Sequence, residues 1–281
     1  MPVAVITDTD SSLPVDIAAR YGIRQVPINV HFGDQTCAAS EISDAEVFAR
    51  VDREGRLPTT SAPSPGQFVE AYRSAFDQGA DAVVCICVSS VVSGVFNAAV
   101  AARDLLPERD IAVLDSRNLA MGQGFMVLAA AEAAAAGADK EEVIRCAEET
   151  RQRTHLYAAL STLKYLAMSG RVGYLAAGMG GLLSVQPILT VRDGKLDLLE
   201  KVRTRRKALA RVTELLEQAA DGRPVERVAA VHVCLPDEAK AFGAGLCQRL
   251  GCSAEAIVAD LTPGLSVHAG AGLLGAAIVV K

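Results

Sequence analysis

Short, continuous apolar runs that end in polar side chains are the feature that most restricts how this chain can fold. One run, Ala82 to Val88, gives way to small hydroxyl residues and then to a helical pattern that begins at Val95. Val3 to Ile6 and Ile111 to Leu114 are similar runs, and polar residues follow each of them. Strands of this kind that alternate with helices are typical of a mainly parallel sheet covered by helices. Because such sheets bind ligands beyond the carboxyl ends of their strands, the polar residues there are the first candidates for a site.

The pattern changes in the second half of the chain. A short strand is followed by a Gly-rich stretch, 169–181, and by Asp193-Gly194 between two apolar runs, which is a strong β-hairpin signal. Helices and strands then alternate again. We therefore predict an α/β protein with an N-terminal, mainly parallel α/β sandwich domain (1–154) and a C-terminal α+β domain (155–281). A cleft between the two is the default place for a ligand.

Hydrophobic periodicity places the other elements. Gln25 to Phe32 alternates apolar and polar residues, which predicts one strand with one buried face. Residues 57–66 hold three prolines and four hydroxyl side chains and are predicted to form a stiff polar loop. Helices are predicted at Val15 to Tyr21, Glu41 to Glu54, Gln67 to Gln78, Val95 to Leu106, Leu119 to Ala136, Lys140 to Thr154, Leu163 to Met168, Lys207 to Ala219 and Asp237 to Leu250. Later strands are predicted at Pro187 to Val191, Lys195 to Lys201, Val228 to Cys234, Ala256 to Asp260 and Ala276 to Val280.

Composition argues against several classes of protein. A formal net charge of −5 with dispersed charges disfavours a nucleic-acid-binding protein, which normally carries a basic stripe. The seven cysteines lack zinc-site spacing and are expected to be reduced thiols of a cytoplasmic protein. Met1-Pro2 leads directly into a strand pattern, so we expect no secretory signal. The longest apolar segment, Leu119 to Ala138, is rich in Ala and Gly and contains Gln123 and Glu132, which predicts a buried helix and no membrane span.

Ser93 and Gly94 lie where the strand at Ala82 to Val88 leads into a helix. The first turn of a helix has N–H groups without intrahelical partners and a partial positive charge, so it can hold a carboxylate or phosphate without a metal. Serine is also a preferred N-cap. Taken alone, the stretch favours the simpler interpretation, in which Ser93 only caps the helix.

Asp8 and Asp10 suggest a catalytic alternative. Asp8-Thr9-Asp10 after a strand is similar to the Asp-x-Asp of magnesium-dependent enzymes that form an aspartyl phosphate, in which one carboxylate attacks and the other handles the proton. No second acidic pair completes a magnesium site, since Asp115 supplies a single carboxylate. A turn that caps the helix beginning near Leu13 explains the same residues equally well.

A Ser–His esterase is the second catalytic alternative, with Ser93 as nucleophile and His268 as base. The sequence around Ser93 is not the Gly-x-Ser-x-Gly elbow of hydrolases. His268 lies in a Gly-rich segment, where backbone can approach a ligand closely. Arg171 also lies between glycines, and its planar fork suits a carboxylate or a phosphate, although a solvated surface arginine is the simpler interpretation.

Taken together, several of these stretches resemble the DegV family in order and spacing over nearly the whole chain. They are Thr7 to Leu13, Thr60 to Ser64, Ser89 to Gly94, Asp115-Ser116, Leu163 to Leu166 with Gly170 to Val172, Gln186 to Leu189, and His268 to Gly272. The resemblance implies a bacterial cytoplasmic protein of the EDD fold that binds a long-chain fatty acid. The tail would be buried and the carboxylate held in the interdomain cleft. The resemblance also implies that the carboxylate is presented to a separate fatty acid kinase subunit, which phosphorylates it.

The resemblance also assigns the site residues. The carboxylate would be held by Thr60, with Ser61 beside it, and by Ser93 with the backbone N–H of Gly94. Arg171 and His268 would border the head group. No metal, catalytic residue or cofactor other than the bound fatty acid is implied, so we expect a lipid-binding protein and not an enzyme. No nucleic-acid partner is expected, and any contact with a membrane surface is expected to be transient.

Some positions depart from the family pattern. Ala62 replaces the usual Gln, Gln186 replaces Lys, Ala271 replaces Pro, and residues 95–97 differ from the frequent Thr-Tyr-Gln. These changes leave the implied carboxylate ligands in place, whereas Gln186 removes a positive charge and Ala271 loosens a turn. The basic run Lys201 to Lys207 is interpreted as the solvated start of a helix, with a docking face for an acidic partner as the alternative.

Overall fold

A computed structural model describes residues 2–171 and 185–281 of this protein. Two sheets and the helix between them position its cavity. The strands are β1 (Val3–Asp8), β2 (Arg24–Val26), β3 (Asn29–Phe32), β4 (Gln35–Ala38), β5 (Thr59–Ser61), β6 (Ala82–Cys87), β7 (Ile111–Asp115), β8 (Thr154–Ala159), β9 (Gln186–Arg192), β10 (Lys195–Val202), β11 (Val225–His232), β12 (Ile257–Asp260) and β13 (Leu274–Val280). The helices are α1 (Val15–Arg20), α2 (Asp44–Glu54), α3 (Pro65–Asp77), α4 (Val95–Asp104), α5 (Ala120–Ala135), α6 (Lys140–Gln152), α7 (Lys164–Met168), α8 (Arg205–Ala220), α9 (Pro236–Leu250) and α10 (Pro263–Ala269).

The N-terminal sheet is parallel, with strand order β2-β1-β6-β7. All side chains of β6 are buried, because the sheet is covered on both faces. Val84 and Ile86 pack in the core with α5, whereas Cys85 and Cys87 pack in the core with α3 and α4. The predicted α/β architecture of this half is confirmed.

The C-terminal sheet is mixed, with strand order β10-β9-β8-β13-β11-β12. Only β11 and β12 pair in parallel among its described strands. The predicted hairpin is confirmed: β9 and β10 are joined through Asp193 and Gly194, which have φ of 49° and 79°, as a tight two-residue turn requires. Helices α8 and α9 pack on this sheet, which confirms a mixed sheet with helices in this half. The boundary at residues 154/155 stays a prediction.

Helix α5 lies between the two sheets. It contacts β1 and β6 of the parallel sheet and β8, β11 and β13 of the mixed sheet. Small residues allow this close packing: a Cβ added to Gly124 would lie 2.7 Å from the backbone oxygen of Ser11. A helix that is apolar nearly all round belongs in a core, which agrees with the buried helix predicted from its sequence. Across the described residues, we find no helix with the length and apolar character that crossing a membrane requires.

Gln123 is a buried polar side chain on α5. Its Nε2 donates to Thr7 Oγ1 at 2.9 Å, to Asp8 Oδ2 at 3.1 Å and to the carbonyl of Ile86 at 3.3 Å. These contacts join the helix to β1 and β6 at the edge of the sheet where their polar residues begin. The amide therefore sets the position of α5 relative to the first strand.

Two predictions about the segment before α3 were wrong. Gln25 to Phe32 is divided at Pro27 into β2 and β3, because proline lacks the N–H that a continuing strand needs. The predicted loop at residues 57–66 contains β5, which pairs with β3 so that Thr60 lies opposite Val30. Strands β3, β4 and β5 form a small antiparallel sheet.

Replacing Gln123 by leucine tests the role of its amide. We expect Gln123→Leu to lower the free energy of unfolding by roughly 2–3 kcal/mol, because Asp8 and Thr7 lose a buried donor. The measurement is urea unfolding at neutral pH. Gln248→Leu, on the exposed face of α9, is the matched control and is expected to change stability by less than about 0.5 kcal/mol. Equal effects of the two substitutions would contradict the role given to the amide.

Candidate ligand-binding site

A cavity of about 280 Å³ lies between the carboxyl end of the parallel sheet and one face of the mixed sheet. Its wall includes all six side chains or backbone positions that the sequence nominated. These are Thr60, Ser61, Ser93, Gly94, Arg171 and His268. The fold therefore brings together residues that are more than 200 positions apart in the chain.

Thr60 and His268 form the centre of the polar wall. Thr60 Oγ1 and His268 Nε2 are 2.9 Å apart and share a hydrogen bond. Thr60 is held in place by β5 and its pairing with β3, and His268 by the last turn of α10. No helix was predicted at α10, and the glycines around His268 were expected to let the backbone approach a ligand closely. The segment is instead a short helix that presents the imidazole to the cavity.

Ser93 does not cap α4, so the simpler interpretation of this residue was wrong. The N-cap is Gly94, and the cap has no side-chain hydrogen bond. Within the described ranges, the Ser93 hydroxyl makes no hydrogen bond and lines the cavity. A Cβ on Gly94 would lie 3.8 Å from Ala62, so the start of α4 abuts the segment that carries Thr60.

Two neighbouring serines have structural roles. Ser89 Oγ donates to the carbonyl of Gly194 at 2.8 Å and so fixes the tip of the β9–β10 hairpin against the parallel sheet. Ser90 Oγ donates to Asp115 Oδ2 at 2.6 Å. Ser93 is therefore the hydroxyl of this stretch that is left to face the cavity. Ser61 also lines the cavity, and its hydroxyl is 2.8 Å from His31 Nε2.

The opposite wall of the cavity is apolar. Alternate residues of a strand share a face, so Leu156, Ala158 and Leu160 point the same way, as do Leu189 and Val191 of β9. Further apolar side chains complete the wall: Ile28, Val88, Val92, Leu119, Leu166, Leu196, Val231, Leu261, Leu265 and Leu273. The cavity thus joins a hydroxyl-rich end to a long hydrocarbon surface.

At the polar end of the cavity, the positive charge comes from Arg171 and not from His268. Burial and the nearby Arg171 guanidinium lower the pKa of His268 to about 4, so its imidazole is neutral at neutral pH. Nδ1 of His268 is buried and has no hydrogen-bond partner among the described residues. Arg171 is exposed, and its Nη1 donates to the carbonyl of Ser169 at 2.7 Å. It contributes a positive charge at the edge of the cavity.

Asp8 has the capping role that the sequence offered as one explanation, although it caps the 3-10 turn Thr9–Ser11 before α1. Its carboxylate accepts from the N–H of Asp10 at 2.9 Å and of Val88 at 2.8 Å, in addition to Gln123. Burial raises the pKa of Asp8 to about 6 against these bonds. Asp10 lines the cavity, a placement that sequence reasoning missed because no pattern distinguishes the direction of two residues in one turn.

Two other stretches singled out in the sequence are the basic run Lys201 to Lys207 and the Gly-rich segment 169–181. In the basic run, Arg205 pairs with Glu238 at 2.9 Å and donates to the carbonyl of Gly272 at 2.7 Å, so it holds α8 against its neighbours. The stretch 172–181, most of the predicted Gly-rich segment, lies outside the described residues. Among residues 2–171 and 185–281, no three His, Cys, Asp or Glu side chains are grouped closely enough to hold a metal ion.

The lowered pKa of His268 predicts a pH dependence of stability. The ordinary pKa is 6.5 and the folded value about 4, so between these pH values the unfolded chain binds a proton that the folded protein excludes. Stability contributed by the neutral imidazole is therefore complete above about pH 6.5 and is lost as the pH falls toward 4, by roughly 3 kcal/mol. Buried carboxyl groups with raised pKa values, Asp8 at about 6 and Asp44 at about 7, change stability in the opposite direction over the same range. The loss is therefore measured as the difference between the natural protein and His268→Asn in urea unfolding at pH 7.5 and 4.5. His268→Asn should lack it, and an identical pH profile in the variant would contradict the assignment.

Known proteins resemble this chain over its whole length. A family model described as "Uncharacterised protein, DegV family" matches residues 2–281. A DegV domain-containing protein of Streptomyces coelicolor is 37% identical over 276 residues, covering 98% of each chain. A DegV domain-containing protein of Mycobacterium tuberculosis is 38% identical over 284 residues, covering 100% of this chain and 98% of its own.

Solved structures share the fold over the full chain. A DegV family protein from Thermus thermophilus, described for its fatty acid binding, matches with a TM-score of 0.89 and 32% identity, covering 100% of both chains. DegV from Bacillus subtilis, described as a fatty acid binding protein, matches with a TM-score of 0.89 and 31% identity, again over 100% of both. Because sequence and fold match from end to end, the resemblance is confirmed, and this chain belongs to the DegV family.

Proposed function

We propose that this protein binds a long-chain fatty acid, with the tail on the apolar wall and the carboxylate at the polar end of the cavity. The observation that carries the proposal is that Thr60 and Ser93 line the same cavity as a continuous hydrocarbon surface. The fatty acid binding described for the proteins of Thermus thermophilus and Bacillus subtilis supports it.

With His268 donating its Nε2 proton to Thr60 Oγ1, the Thr60 hydroxyl keeps its own hydrogen for the ligand. The carboxylate would then accept hydrogen bonds from the hydroxyls of Thr60 and Ser93 and from the backbone N–H of Gly94. A carboxylate has about four acceptor positions, which these donors fill in large part. Hydrogen bonds to a charged acceptor are the stronger kind. Ser61, Arg171 and His268 border the same space, and Arg171 adds a favourable charge that does not need to be buried.

The tail would supply most of the binding free energy. Each methylene transferred from water to an apolar wall contributes about 0.8 kcal/mol. The leucine and valine side chains of β8, β9 and β11 provide that wall, and they need no hydrogen-bond partner from the ligand. A long saturated or unsaturated chain is therefore a better occupant than a short polar acid.

The second part of the proposal concerns what happens to the carboxylate. We propose that a separate kinase subunit docks at the polar end and transfers the γ-phosphoryl group of ATP to a carboxylate oxygen, giving an acyl phosphate and ADP. Gly94, Ser61 and Arg171 are exposed, so this end of the cavity is open to a partner. Such a reaction belongs in the cytoplasm, where ATP is present. Hydroxylamine trapping of acyl phosphate in mixtures of protein, ATP and the partner would measure it.

The identity of the bound molecule tests the first part of the proposal. The protein is purified from bacterial cells, denatured and extracted, and the extract is examined by mass spectrometry. We expect fatty acids of long chain length at close to one per protein. An empty protein that also fails to take up oleate or palmitate would overturn the proposal. Magnesium-dependent phosphatase activity that requires Asp8, or fluorophosphonate labelling of Ser93, would favour the two catalytic alternatives instead.

Ser93→Ala tests the proposed carboxylate site. Loss of one hydrogen bond to a charged acceptor is worth roughly 1.5–3 kcal/mol, so palmitate affinity should fall about 10- to 100-fold. Titration calorimetry measures it, with thermal unfolding to show that the fold is retained. Ser253→Ala, in an exposed turn, is the matched control and should bind like the natural protein. Unchanged affinity in Ser93→Ala would place the carboxylate elsewhere.

A further inference from the structure

Asp10 is a buried carboxyl group that the proposed carboxylate site does not use. It lies in the 3-10 turn after β1, is 4% exposed, and lines the cavity. Its Oδ1 has no hydrogen-bond partner in the described part of the chain. Buried polar groups are nearly always paired, so an unpaired oxygen on a cavity wall points to a partner supplied by the ligand.

The surroundings of Asp10 favour the neutral form of its carboxyl group over the charged form. The neighbouring Asp8 takes the N–H groups of Asp10 and Val88 and the Gln123 amide. Burial, and then the charge of Asp8, raise the pKa of Asp10 well above its ordinary range. A neutral carboxyl group offers one O–H donor and also accepts. A hydroxyl group, which both donates and accepts, is its natural complement.

The position of Asp10 relative to the polar end follows from α10. A Cβ on Gly264 would collide with Asp10 Oδ1, so the carboxyl group lies against the first turn of that helix. Gly264 and His268 are four residues apart, which places them on one face, one turn or roughly 5 Å apart along the helix. Both line the cavity. Asp10 therefore lies beside the first turn of α10, about one helical turn from the Thr60–His268 pair beside the last turn.

We propose that Asp10 hydrogen-bonds a hydroxyl group on the acyl chain, a few carbons from the carboxylate, so that the protein selects hydroxylated fatty acids. This inference rests on the proposed function, because it takes the carboxylate to lie at Thr60 and Ser93. A site with a buried hydrogen-bonding group discriminates strongly against an analogue that leaves the group unpaired. Asp10 would then determine specificity, while the apolar wall accepts the rest of the chain.

Affinities for matched pairs of acids test the inference. Titration calorimetry compares 3-hydroxypalmitate with palmitate, and 12-hydroxystearate with stearate, for the natural protein and for Asp10→Ala, Asp10→Asn and the exposed control Asp16→Ala. We expect 3-hydroxypalmitate to bind about tenfold more tightly than palmitate in the natural protein and in Asp16→Ala. The ratio should fall to near one in Asp10→Ala and be largely kept in Asp10→Asn, whose amide also donates and accepts. The distant hydroxyl of 12-hydroxystearate should give no advantage.

Three results would overturn the inference: a ratio near one in the natural protein, a ratio in Asp10→Ala equal to the natural one, or an equal advantage for the 12-hydroxy acid. The second result includes the case in which Asp10→Ala binds 3-hydroxypalmitate and palmitate more weakly by the same factor. Asp10 would then contact the carboxylate and not the hydroxyl group. If a variant fails to fold, the ratio in the natural protein decides. Failure of palmitate and stearate to bind the natural protein at all would instead be a failure of the proposed function.

Discussion

The hydrogen bonds of the Gln123 amide are the interaction on which the cavity depends. They attach α5 to β1 and β6 at the point where both strands give way to polar residues. The same amide takes part in saturating Asp8, which leaves Asp10 to face the ligand space. One side chain on a buried helix therefore contacts two strands of the parallel sheet and the carboxylate of Asp8, which caps the turn that contains Asp10. Hydrogen bonds in such a low-dielectric setting are strong and costly to leave unmade.

The sequence predicted the fold wherever local chemistry and tertiary structure agree. A continuous apolar run identified β6 because that strand is covered on both faces, and similar runs identified the less buried β1 and β7. Asp193-Gly194 identified its hairpin because the turn needs two residues with positive φ. Prediction failed where a neighbour decides the outcome. Thr60 lies in a strand only because β3 pairs with it, and alternation across Pro27 looks the same whether the chain stays in one sheet or crosses to another.

The cavity wall contains the residues nominated from the sequence, but the arrangement of those residues was not predicted. Flanking glycines nominated Arg171 and His268, and position after a strand nominated Ser93, since these signals are local. The contact between Thr60 and His268 joins residues 208 positions apart, and its consequence, a neutral imidazole, depends on burial that no sequence pattern reports. Asp10 was weighed as half of a phosphatase pair, yet its direction toward the cavity follows from how Asp8 is satisfied. The family resemblance supplied the ligand class, which the residues alone left open.

The place of α5 between the sheets limits how a ligand of the proposed kind could enter and leave the cavity. One hydrophobic core contains Val84 and Ile86 of the parallel sheet together with Val231 and Ala277 of the mixed sheet, with α5 inside it. A hinge rotation that separated the halves would expose this helix along one side and forfeit its packing. Entry and release of a molecule are therefore expected to occur by small movements of the segments around the mouth, while the two sheets keep their relative orientation. The two sheets would then form a rigid frame, and only the segments at the mouth of the cavity would move.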